Sequence, residues 1–113
     1  MADVRETAPD TLLTISLNSD GSYSVSSDPC TVMVGGNLSV TIPQGPPVGC
    51  LICLDKDLGN AKSHKLLQDK TFDMSKYPNA SRWTYYVYGP NDTCPSGAAQ
   101  DVGHTIQIGS GMN

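Results

Sequence analysis

Leu13-Thr14-Ile15-Ser16-Leu17, followed by Asn18-Ser19-Asp20-Gly21-Ser22 and Tyr23-Ser24-Val25, decides the fold. Apolar and polar side chains alternate on both sides of the Asp-Gly pair. A period of two sends successive side chains to opposite faces, which fits half-buried strands and not an amphipathic helix. Asp20-Gly21 supplies the turn, because glycine enters positive φ without a steric penalty. Residues 11–18 and 22–27 are therefore expected to pair as a hairpin.

The same pattern continues outward. Asp28-Pro29 ends the second segment, and Cys30, Val32 and Val34 then share one face. Gly35-Gly36-Asn37 turns the chain into an alternation of Leu38, Val40 and Ile42, which Pro43 stops. The stretch 44–49 is rich in proline and glycine and reads as a loop. Cys50 to Leu54 is a short apolar run between turn residues, as a buried strand requires. Residues 55–70 are the least regular, and 61–68 are expected to form one or two helical turns. Residues 71–74 read as a short edge strand.

Arg82 to Tyr88 is the most strand-like segment, with Trp83, Tyr85 and Val87 on one face and Thr84, Tyr86 and Tyr88 on the other. A loop rich in Gly, Pro, Asn and Ser follows at 89–99. The last strand, about 103–108, places Val102, His104, Ile106 and Ile108 on one face. About eight short strands with at most one short helix define an all-β antiparallel sandwich of two sheets. Residues 1–10 are polar and read as a flexible lead-in, and 11–113 as a single domain.

Composition narrows the function classes. The chain has 113 residues, 16% of them charged, and a formal net charge of −4. Its few basic residues are scattered, with Lys62, Lys65 and Lys70 the one loose group. Phosphate neutralisation needs clustered Lys and Arg, so nucleic acid is not an expected partner. No apolar run reaches the roughly 18 residues of a membrane-spanning helix, so no membrane insertion is expected. The polar start, Met1-Ala2-Asp3-Val4-Arg5-Glu6, is not a signal peptide, which implies a cytoplasmic location unless a leader has been removed. Three N-x-S/T triplets, at Asn37, Asn79 and Asn91, point weakly the other way.

The segment Ser27-Asp28-Pro29-Cys30-Thr31-Val32-Met33-Val34-Gly35-Gly36-Asn37-Leu38-Ser39-Val40 resembles the second and third strands of cupredoxin-like domains. Trp83-Thr84-Tyr85-Tyr86-Val87, a long loop and His104-Thr105-Ile106-Gln107-Ile108 resemble that family's closing hairpin. The likeness covers about residues 11–109 and implies a cupredoxin-like Greek key, with an immunoglobulin-like sandwich as the alternative. Blue-copper members hold the metal with two His, a Cys and a weak Met. Here Cys50 stands near the first His position and Val87 at the thiolate position. The loop before the last strand holds Cys94 and no Met, and Met112 lies beyond that strand. The resemblance thus implies a cupredoxin-like domain without the blue-copper ligand set.

That topology brings Cys50, Cys94 and His104 to one end of the sandwich. The leading expectation for the four cysteines is a Cys50–Cys94 disulfide in an oxidising compartment, with Cys30 and Cys53 as a second pair or as buried thiols. Cys50 and Cys53 are not expected to join, since positions i and i+3 of a strand face opposite ways. The other use of Cys50, Cys94 and His104 is a copper or zinc site. His64 reads as a solvated loop residue. Tyr86 and Tyr88 are candidates for a contact surface. No Gly-x-Ser-x-Gly elbow occurs and the carboxylates are spread over loops, so the chain is read as non-enzymatic. The expected function is a binding or structural module with no cofactor, whose partner is another protein or a second copy of itself. A metal-binding or electron-transfer protein with an altered cupredoxin site is the alternative.

Overall fold

The computed structural model describes residues 10–45, 48–94 and 103–109. It contains nine strands and, among the described residues, no helix. They are β1 (Asp10–Leu17), β2 (Tyr23–Val25), β3 (Cys30–Val32), β4 (Asn37–Thr41), β5 (Cys50–Leu58), β6 (Ala61–Leu66), β7 (Lys70–Asp73), β8 (Arg82–Tyr88) and β9 (His104–Ile108). The lead-in at 1–9 lies outside the described residues, and Asp10 already belongs to β1.

The hairpin forms where the sequence places it, with Ile15 opposite Val25 and Leu17 opposite Tyr23. Gly21 takes φ +91, and its N–H donates to the Asn18 carbonyl. In the same turn the Ser22 N–H and hydroxyl both donate to Asp20 Oδ1, which holds that carboxyl below its ordinary range.

Two sheets result, ordered β2-β1-β4-β7 and β3-β9-β8-β5-β6. Both are mixed, which corrects the antiparallel expectation: β1 pairs parallel with β4, and β3 with β9. The reason lies between β2 and β3. Only residues 26–29 separate these strands, yet they belong to different sheets. The turn at Met33–Gly36 then reverses the chain, so β4 returns to the first sheet beside β1 and runs the same way.

The expected helical turns at 61–68 are instead β6, antiparallel to β5 with Cys50 opposite Leu66 and Cys53 opposite Ser63. Gly59 and Asn60 both have positive φ, +60 and +86. Two such residues in succession make the tight turn whose twist suits a hairpin. The turn sets residues 61–66 beside β5 as a paired strand. Lys62 and Lys65 project from β6, an outermost strand of its sheet, and both are exposed.

One hydrophobic cluster joins the sheets. The first contributes Leu13, Ile15, Leu38, Val40 and Phe72; the second contributes Cys30, Val32, Cys50, Ile52, Leu54, Trp83, Tyr85, Ile106 and Ile108. Each of these side chains supplies about 1.5–3 kcal/mol of burial free energy when fully enclosed. Trp83 also donates from Nε1 to the Asp57 carbonyl at 3.1 Å and meets Tyr77 edge-on, with ring centroids 4.7 Å apart. Tyr85 is fully enclosed, and its hydroxyl has no hydrogen-bond partner among the described residues.

The two aromatic residues therefore respond differently to substitution. Tyr85→Phe removes an unpartnered buried hydroxyl and is expected to leave stability unchanged or raise it by about 1 kcal/mol. Trp83→Phe loses a hydrogen bond and leaves a void, lowering stability by about 1–3 kcal/mol. Urea denaturation followed by far-UV circular dichroism measures both. A clearly destabilised Tyr85→Phe protein would contradict the account of this core.

Candidate functional site

The crossing from one sheet to the other is fastened at both ends. Ser26 belongs to the first sheet: its N–H donates to the Thr14 carbonyl, and its hydroxyl oxygen accepts the Thr14 N–H, both at 2.9 Å. Asp28 belongs to the second. Its Oδ1 accepts the Thr105 N–H and its Oδ2 lies against His104 Nδ1, each at 3.0 Å. The Asp28–Pro29 peptide is cis. His104 thus stands at the start of β9 with Nδ1 committed to a carboxylate and its ring 5.3 Å from that of Tyr85.

Beside this crossing lies a cleft of about 410 Å³. Gly21, Ser22 and Tyr23 line it from the β1–β2 hairpin, Tyr86 to Gly89 and Asp92 from β8 and the turn after it, and His104 from β9. The Tyr23 ring packs partly on the core. Burial pushes its hydroxyl pKa up, with smaller contributions from neighbouring Cys50 and Asp92. Asp92 is itself held: its Oδ2 accepts the Gly89 N–H at 2.8 Å, and its own N–H donates to the Gly89 carbonyl. Gly89 allows this closeness. A Cβ there would lie 3.1 Å from Asp92 Oδ2 and 3.6 Å from the Tyr23 hydroxyl.

The sulfurs correct the expected pairing. The disulfide joins Cys53 to Cys94, with their Cα atoms 5.8 Å apart. Cys30 and Cys50 are buried thiols. The opposite-face argument for Cys50 and Cys53 holds, because Cys50, Ile52 and Leu54 enter the shared core while Leu51 and Cys53 do not. The chain after β8 reaches the outward face of the five-stranded sheet, so Cys94 meets Cys53 instead of Cys50.

The proposed metal trio consequently does not assemble. Cys94 is spent on the disulfide, Cys50 faces the core, and His104 is turned by Asp28. Among the described residues no group of three or more His, Cys, Asp or Glu is placed to hold a metal ion. Asp55 accepts the Thr84 N–H and acts as a structural acceptor. Val102 and Met112 lie outside the described residues. Tyr86 and Tyr88 both belong to the wall of the cleft. The sequence reading did not single out Tyr23 and Asp92, which line the cleft, or Asp28, which holds His104. Asp28-Pro29 signals a strand break, and nothing local marks Asp28 as the fastener of His104.

The chain matches no family model and no curated protein.

Two observable consequences concern the sulfurs. Peptide mapping without reduction is expected to recover the Cys53–Cys94 link and two unmodified thiols, and breaking that link should cost about 2–4 kcal/mol. Burial raises the Cys50 pKa from its ordinary value of 9.0 to about 11. Between these values the unfolded chain loses a proton that the folded chain keeps, so stability falls as pH rises from 9 to 11. Denaturation curves across that window should slope less for Cys50→Ala than for the parent; equal slopes would contradict the assignment.

Proposed function

We propose that the protein is a non-enzymatic binding module built on a cupredoxin-like Greek-key sandwich, with its ligand site in the cleft between Tyr23, Tyr86, Tyr88, Asp92 and His104. The observation that carries this reading is the cleft itself, a concave site that, among the described residues, is lined from both sheets by Tyr23, Tyr86, Tyr88, Asp92 and His104. Concave sites with a few fixed polar groups are where small ligands bind.

The absence of catalysis is part of the proposal. The Asp28–His104 pair has the orientation of a general base, but that base needs a nucleophile within hydrogen-bond reach. Ser22 in the lining already donates to Asp20 at 2.6 Å. No hydrogen bond joins His104 to a hydroxyl or thiol among the described residues. In this reading the module carries no cofactor.

Two measurements test it. Titration of reduced protein with Cu(II) is expected to give no stable intense visible band, since Val87 occupies the thiolate position; a strong blue colour would restore the electron-transfer reading. ¹H–¹⁵N correlation spectra recorded with a panel of small polar and aromatic-binding ligands should shift residues 21–23, 86–89, 92 and 104 together. Shifts confined to other surfaces would overturn the cleft as the site.

A further inference from the structure

Three Asn-x-Ser/Thr triplets occur in the chain, Asn37-Leu38-Ser39, Asn79-Ala80-Ser81 and Asn91-Asp92-Thr93. Such a triplet is the acceptor for an N-linked glycan, a bulky polar group that a folded domain carries at its surface. The fold treats the three differently.

Asn37 opens β4, with Asp10 of β1 on one side and Asp73 of β7 on the other. It is half-buried, and its Nδ2 donates to Asp10 Oδ1 at 3.1 Å. The Ser39 hydroxyl is paired with that of Thr71. Asn79 is half-buried as well. Its Oδ1 is enclosed and lies so close to Gly109 that a Cβ there would collide with it. The Ser81 hydroxyl donates to the Pro78 carbonyl at 2.7 Å. In both triplets the amide is bonded or packed away and the hydroxyl is engaged.

Asn91 stands apart. Gly89 to Asp92 form a β-turn, closed by the Asp92 N–H donating to the Gly89 carbonyl at 3.0 Å. Pro90 takes the second position, where its fixed φ suits the turn. Pro90 is buried, while Asn91, Asp92 and Thr93 are all exposed. Among the described residues no hydrogen bond engages the side chain of Asn91 or Thr93. The next residue, Cys94, is tied to β5 through Cys53. Disulfides form and persist in oxidising compartments, and N-linked glycans are attached in one of them. We propose that Asn91 is an N-glycosylation site, the one triplet of the three that the folded protein presents for a glycan. The donor is an oligosaccharide joined through pyrophosphate to a lipid. Asn91 Nδ2 loses a proton and bonds to C1 of the first sugar as the C1–O bond to the pyrophosphate breaks, and the lipid pyrophosphate leaves. No oxidation state changes. Asn91 does not line the cleft, so this site stands or falls independently of any ligand bound there.

The test directs the full chain into the secretory pathway of a mammalian cell behind a cleavable leader. Its peptides are mapped by mass spectrometry before and after an amidase removes N-linked glycans, which converts each occupied Asn to Asp. The secreted, disulfide-bonded protein is expected to carry a glycan on Asn91 and none on Asn37 or Asn79. Asn91→Gln and Thr93→Ala should each abolish the modification, whereas Thr93→Ser keeps the hydroxyl and should keep the glycan. Asn37→Gln and Asn79→Gln should leave occupancy of Asn91 unchanged. Chain retained in the cell is mapped in the same way, so a variant that fails to fold still reports its occupancy. An unmodified Asn91 in either fraction of the parent protein would overturn the inference. A glycan on Asn37 or Asn79 of the secreted protein would overturn it too.

Discussion

Everything in this fold depends on one short crossing. Between Ser26 and Pro29 the chain leaves one sheet and joins the other, with a polar anchor on each side. Ser26 is bonded to Thr14 of β1 twice, donating from its backbone N–H and accepting at its hydroxyl, and Asp28 grips β9 through the Thr105 amide and His104. The anchors stand two residues apart in sequence and belong to different sheets. Hydrophobic burial is non-directional and does not by itself say how one sheet lies over the other. Hydrogen bonds to fixed backbone groups do, and here they set the offset within a few residues.

The cleft follows from that crossing. Because β2 and β3 diverge at 26–29, the hairpin turn before β2 stands beside the ends of β8 and β9 instead of covering them. Tyr23 reaches across from the first sheet, and the turn carrying Gly89 and Asp92 closes from the second. The disulfide works on the other side of the same segment. It fastens Cys94 to the outward face of β5, so the turn after β8 is held between its own strand and a covalent link.

Most strands were legible because alternation is a local property. The hairpin around Asp20-Gly21, the faces of Arg82–Tyr88 and the inward set Ile106 and Ile108 all read correctly from a period of two. Residues 61–66 did not, because Ala, Lys, Ser, His and Leu there have no clear period. Their strand character comes from the Gly59-Asn60 turn and from pairing with β5. The Leu58-Gly59-Asn60-Ala61 sequence carried that signal, since Gly-Asn between paired segments marks a hairpin. The cysteine pairing was half legible. Strand parity separated Cys50 from Cys53, but which face the loop after β8 covers is a tertiary fact. Parallel pairing was hidden for the same reason, since it depends on where the chain changes sheets. Of the residues that line the cleft, the sequence reading singled out Tyr86, Tyr88 and His104 for other reasons and passed over Tyr23 and Asp92, and it passed over Asp28 beside His104, because these placements depend on neighbours distant in sequence.

Each sheet has two outermost strands, and their lengths are unequal. Three of them, β2, β3 and β7, have only three or four residues, while β6 has six. An outermost strand offers unpaired amides and carbonyls on which a foreign strand can grow, and a long flat one is the usual seed of aggregation. Here the one edge long enough to serve as such a template displays Lys62 and Lys65, so a second copy arriving in register would bring like charges together. Two of the three loosely grouped lysines thus stand on this edge, while Lys70 lies on β7 of the other sheet. The charges of Lys62 and Lys65 oppose strand addition at this edge.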